Sequence, residues 1–103
     1  MTKEATLTNE ISIEGRINVD NSDDMRRKLS EILRSKPQTI KVDLSKVISM
    51  DSSGLATLLE ATAIARRQNT RLILQGIRGQ LRYMLEISRL DRLFDIEGEM
   101  RPA

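Results

Sequence analysis

The stretch Ile40-Lys-Val-Asp-Leu-Ser-Lys-Val-Ile-Ser-Met-Asp-Ser-Ser-Gly-Leu55 constrains this chain most, because it passes from the period of a strand to that of a helix within a few residues. Ile40, Val42 and Leu44 alternate with polar residues, the pattern of a strand with one buried face. A short apolar link, Val47-Ile48-Ser49-Met50, leads into Asp51-Ser52-Ser53-Gly54. Leu55, Leu58, Leu59, Thr62 and Ala63 then recur at helical spacing, and the helix is expected to run to about Gln68. The junction puts two hydroxyls and a carboxylate at a helix N-terminus, where free backbone N–H groups take a side-chain cap or an anion. A serine there is either a structural cap or a residue whose phosphorylation a partner reads.

The flanking segments extend the alternation of strand and helix. Ile11, Ile13, Ile17 and Val19 fall on odd positions between polar residues, so one face of that strand is buried. Ala5 and Leu7 are in phase with them, which suggests an earlier partner strand over 4–8 and a turn at Asn9-Glu10. Asp20-Asn21-Ser22 stops the strand and offers an N-cap, and Asp23-Asp24 suits a first helical turn. Met25, Leu29, Ile32 and Leu33 mark an amphipathic helix ending near Ser35. Further strands are expected at 39–44, 71–75 and 93–96, with a third helix carrying Ile77, Leu81, Met84, Leu85 and Ser88. The order β-β-α-β-α-β-α-β gives an α/β fold: a single domain over 1–103, core about 10–97, polar tail 97–103. Its mixed sheet contains parallel βαβ units with helices packed on it.

Composition removes most catalytic chemistry. The chain has no histidine and no cysteine, so a Ser-His-Asp triad, a thiol nucleophile and a structural zinc site have no residues to build them. No Ser-Lys pair stands in a recognisable catalytic arrangement, and no cofactor or metal is expected. An enzyme is therefore not the expected reading. The lack of cysteine is compatible with a reducing cytoplasm, the expected location. No apolar run approaches the ~20 residues of a membrane span, and no apolar stretch follows Met1-Thr-Lys-Glu4 to act as a signal peptide.

Seven arginines between positions 64 and 92 face only Glu86 and Asp91. Such a cluster serves nucleic acid, phospholipid or an acidic partner protein or, more ordinarily, forms the solvated face of two amphipathic helices. With Tyr83 and Phe94 as the only aromatic residues, there is no stacking platform for single-stranded nucleic acid, and no direct nucleic-acid binding is expected. Gly76 and Gly79 do not make a phosphate-binding G-x-G-x-x-G; they read as a strand stop and a helix entry. Asp20, Asn21, Asp23 and Asp24 lack EF-hand spacing and read as capping residues that also line a surface near the second helix. Met50-Asp-Ser-Ser-Gly54 is not a G-x-S-x-G nucleophile elbow. If Ser52 takes part in chemistry, it is the group acted upon. Gly54 leaves the helix start without a side chain, open to close approach by another surface.

Asp43-Leu-Ser-Lys-Val-Ile-Ser-Met-Asp-Ser-Ser-Gly-Leu55 resembles the signature of STAS domains (sulfate transporter and anti-sigma factor antagonist). Arg66–Leu74 and Leu85–Phe94 are similar to later segments of that family, so the likeness covers about residues 10–97. In bacterial anti-sigma factor antagonists of the family, the first serine of the motif is phosphorylated by a serine kinase that is also the anti-sigma factor. The resemblance thus implies Ser52 as acceptor. It places Asp51, Ser53, Gly54 and Leu55 at the partner surface, with Asp20 and Asn21 beside them, in a monomer or weak dimer. The family also includes the small cytoplasmic subunit of phospholipid-transporting ABC transporters, which docks on the ATPase. Leu55-Ala-Thr-Leu-Leu-Glu60 and Arg67-Gln-Asn-Thr70 fit that branch equally well.

Overall fold

A computed structural model describes residues 8–98. Four strands, β1 (Thr8–Ile17), β2 (Thr39–Met50), β3 (Arg71–Gln75) and β4 (Asp95–Ile96), form one sheet in the order β1-β2-β3-β4. All three pairings are parallel. Helices α1 (Ser22–Arg34), α2 (Ser52–Arg67) and α3 (Gly79–Ser88) make the crossovers, and a 3₁₀ turn at Leu90–Leu93 precedes β4. The antiparallel member of the expected mixed sheet, residues 4–8, lies almost wholly outside the described residues. The expected turn at Asn9-Glu10 is not formed. Both residues lie inside β1, where they pair with Ile40 and Lys41 of β2.

Burial follows position in the sheet. In β3, Leu72, Ile73 and Leu74 are all buried, as a parallel strand flanked on both sides requires. β1 instead alternates, with Ile13 and Ile17 in the core and Ser12, Glu14 and Arg16 exposed. Helix α1 buries Met25, Leu29 and Leu33 against the core and packs on α2, with Arg26 Nε donating to Glu60 at 3.0 Å across the pair. On α2 the buried face is Leu55, Leu58, Ala61, Thr62 and Ala65; Ala63, expected on this face, is exposed. α3 packs on β2.

The strand at 39–44 continues through the apolar link that the sequence suggests beyond it. Two register shifts against β1, between Ser12 and Glu14 and between Gly15 and Arg16, each give β2 one extra residue. One of these is Ile48, which lies between the partners of Gly15 and Arg16 and is 59% exposed despite its apolar side chain. The ladder then resumes at Ile17 opposite Met50. These two bulges set the height at which the next residues leave the sheet, and the next residues are Asp51 and Ser52.

Candidate functional site

The β2–α2 junction is tied to the sheet from both sides. Asp51 N donates to Ile17 O at 3.1 Å, joining the end of β2 to the end of β1. Gln80, from the first turn of α3, grips the preceding residue twice: its Oε1 accepts from Met50 N at 2.9 Å and its Nε2 donates to Met50 O at 3.2 Å. A strand end without further ladder partners would leave these backbone groups orphaned, so an α3 side chain supplies them.

Asp51 is the N-cap of α2. Its extended backbone is the geometry an N-cap requires, and its Oδ1 accepts from Ser53 N at 2.9 Å and Gly54 N at 3.3 Å. The Ser53 hydroxyl donates to the same oxygen at 2.6 Å. That hydroxyl, helped by the Gly54, Ser53 and Val19 backbone N–H groups, holds the Asp51 carboxyl below the usual carboxylate range, against partial desolvation. The two serines are thereby made unequal. Ser53 is engaged by the cap, whereas Ser52 is exposed and its hydroxyl makes no hydrogen bond among the described residues.

Gly54 and Leu55 do not face outward. Both are buried, and a Cβ on Gly54 would lie 2.6 Å from Met50 Cγ and 2.7 Å from Ile17 Cγ2. The missing side chain admits the protein's own core, not a visiting surface. Asp20 and Asn21 belong to the β1–α1 loop, which follows β1. Asp20 is exposed, but Asn21 is committed to the loop: its Oδ1 accepts from Asn18 N at 2.8 Å and its Nδ2 donates to Arg16 O at 2.7 Å. Asn21 stands at the N-cap position of α1 but makes no side-chain cap there.

Sequence reasoning missed the neighbouring surface. A shallow depression of about 350 Å³ between Asp51 and α3 is lined by Arg16, Ile17, Ser49, Met50, Gln80 and Met84, among others. Beyond it α3 exposes Tyr83 (64%) and Ile87 (63%), one turn apart, and the β1–α1 loop exposes Val19 (72%). The signal in the sequence was Tyr83-x-x-x-Ile87, apolar residues out of phase with the Leu81/Leu85 core stripe. Exposed apolar side chains on α3 and the β1–α1 loop are suited to protein contact.

Comparison with known proteins fits this geometry. The family model for the MlaB-type STAS domain matches residues 2–97. This chain belongs to the STAS domain family. An anti-sigma-B factor antagonist from Listeria monocytogenes is 34% identical over 64 residues, a stretch that takes in 59% of this chain and 56% of that protein. The aligned part thus spans little more than half of the relative. Among solved structures, the anti-sigma factor antagonist SpoIIAA in its unphosphorylated form superimposes with a TM-score of 0.67 at 20% identity, covering 97% of this chain and 84% of that one. A sulfate transporter family protein from Wolinella succinogenes gives 0.69 at 22% identity, covering 92% and 75%. These structural likenesses establish the α/β fold of the STAS domain. Among the described residues no helix is long and apolar enough to cross a membrane.

Proposed function

We propose that this STAS domain is a non-enzymatic regulator, an anti-sigma factor antagonist that binds an anti-sigma factor with serine-kinase activity and is released by phosphorylation at Ser52. The observation that carries the reading is the inequality of the two serines: Ser53 is spent on the Asp51 cap, and Ser52 is exposed one residue into α2 with a free hydroxyl. The antagonist relative and the antagonist fold support it.

The switch follows from charge. A phosphate adds about −1.5 to −2 charges and three acceptor oxygens. The α2 N-terminus stabilises it by roughly 0.3–1 kcal/mol, so the domain stays folded. Inside a packed interface the same dianion, next to the Asp51 carboxylate, costs several kcal/mol to desolvate. Each 1.4 kcal/mol is tenfold in affinity, so the balance favours release by about two orders of magnitude or more. The expected partner surface is Asp51, Ser52 and the apolar group Val19, Met84, Tyr83 and Ile87. Ser52→Asp is expected to lose the partner and Ser52→Ala to keep it constitutively, measured by quantitative mass spectrometry of proteins captured on each variant from its own cells. Equal capture by both variants would sink the switch.

A second reading has its own support. The matching family model is of MlaB type and a transporter-family STAS protein shares the fold. In that reading the same edge is a permanent docking surface on an ABC transporter ATPase, and capture survives detergent and is insensitive to Ser52→Asp.

A further inference from the structure

At the opposite end of α2 from Ser52, a groove of about 440 Å³ opens between the helix, the start of β3 and β4. Thr62, Arg66, Arg71, Leu72, Phe94 and Asp95 line most of it. The volume lies within the range of small-molecule sites. Arg66 and Arg71 both line it and each is anchored: Arg66 Nη2 donates to Leu93 O at 2.9 Å, and Arg71 Nε donates to Asp95 Oδ2 at 2.7 Å. Their remaining N–H groups make no hydrogen bond among the described residues.

A second, independent feature lies in the same wall. Thr62 is 6% exposed, and its Oγ1 is the one buried side-chain polar atom without a hydrogen-bond partner among the described residues. The residue itself lines the groove. An orphaned buried hydroxyl is costly unless something supplies its partner.

The charge balance narrows the ligand. Arg66 and Arg71 against Asp95 leave one net positive charge, and the nearby Glu97 is offset by Lys41 at 3.7 Å. A monoanion completes the site. Guanidinium forks match a planar carboxylate, Asp95 and Thr62 can accept from hydroxyl groups, and Leu72 with Phe94 provides an apolar wall for a short carbon chain. We propose that this groove binds a small hydroxylated carboxylate of the hydroxy-acid or sugar-acid class.

The test is an NMR titration of the ¹⁵N-labelled full chain with D-gluconate, with acetate, glycerol and inorganic phosphate run separately. Gluconate is expected to give saturable shifts confined to residues 62–72 and 93–96, with Kd on the order of 1 mM, the scale for a ligand of that size. Acetate and glycerol are expected to bind at least tenfold more weakly. Arg66→Gln with Arg71→Gln changes only exposed side chains, and its spectrum elsewhere reports that the fold is kept; it is expected to weaken gluconate at least tenfold. Thr62→Val, which keeps the side-chain shape, is expected to weaken it severalfold. Absence of saturation, equal affinity for acetate, tighter binding of phosphate, or a double variant that binds normally would each overturn the proposal.

Discussion

Gly54→Ala puts the inward placement of the α2 start to a quantitative test. In an exposed helix interior, glycine to alanine stabilises by about 1 kcal/mol because the unfolded chain loses freedom and the helix gains a good former. Here the added methyl meets Met50 Cγ at 2.6 Å and Ile17 Cγ2 at 2.7 Å, closer than non-bonded carbons settle, so a neighbour must shift. Met50 and Ile17 are 1% and 6% exposed, so neither can swing into solvent. Met50 can adjust its flexible chain, but Ile17 is β-branched and its carbonyl anchors Asp51 N. Overpacking of a filled core costs roughly 1–3 kcal/mol. Set against the propensity gain of about 1 kcal/mol, the net expectation is a loss of about 0–2 kcal/mol, or a Tm lower by up to roughly 15 °C for a domain of this size. Urea and thermal denaturation followed by circular dichroism would read it. Met50→Ala, itself expected to cost about 2–5 kcal/mol, removes one of the clashing atoms, so the double variant is expected to be more stable than the sum of the single losses. A Gly54→Ala protein with raised Tm, or additive single and double variants, would show that Gly54 faces open space and refute the reasoning.

Three further outcomes are expected. Gly76→Ala combines a φ of +76° with a Cβ 2.8 Å from Ser45 N and 2.9 Å from Asp43 Oδ1, and should destabilise by at least about 1–3 kcal/mol in chemical denaturation. The Asp51 and Asp43 carboxyls are both held below their ordinary range, Asp51 first by the Ser53 hydroxyl and Asp43 first by the Ser45 backbone N–H. Folded values below unfolded ones mean stability that is complete above the unfolded pKa, about 4, and lost as pH falls through the folded values. Carboxyl ¹³C titration should show Asp51 moving upward in Ser53→Ala and Asp43 unchanged. The contrast between Ser52→Asp and Ser52→Ala, described above, bears on partner binding and not on folding: Ser52 is exposed and its side chain holds nothing in the fold, so Ser52→Ala is expected to keep the wild-type Tm within about 4 °C, and Ser52→Asp, whose charge suits the α2 N-terminus, is expected to be no less stable than wild type.

Much of this architecture was readable because period and capping chemistry agree. Ile40, Val42 and Leu44 alternate where β2 lies, Met25, Leu29 and Leu33 recur where α1 buries its face, and Asp51 caps where a helix pattern begins. The junction bearing Ser52 was legible for the same reason. What escaped the sequence depends on partners distant along the chain. Asn9-Glu10 has turn-like composition, yet pairing with Ile40 and Lys41 draws it into β1. Val47–Met50 carries no clean alternation because the second bulge interrupts it, and Ile48 turns outward as the extra residue. Gly54 looked like an opening, but the direction of its missing Cβ depends on how Ile17 and Met50 are packed, which no local pattern encodes. The bidentate hold of Gln80 on Met50 joins residues 30 apart and has no local signature at all. Arg66 and Arg71 line one groove because β3 begins just past the end of α2, whereas the arginine cluster as read from the sequence was only a charge imbalance.

The central claim is that phosphate on Ser52 separates this STAS domain from its partner. The direct measurement is to recover the endogenously tagged protein from its own cells, split it into free and complexed pools by size exclusion, and quantify site-resolved phosphate in each by mass spectrometry. Phosphate at Ser52 confined to the free pool, with a kinase-type anti-sigma factor in the complexed pool, is the expected result. Equal Ser52 occupancy in both pools, phosphate on Ser53 instead, or a complex made of an ABC ATPase and its permease would contradict it.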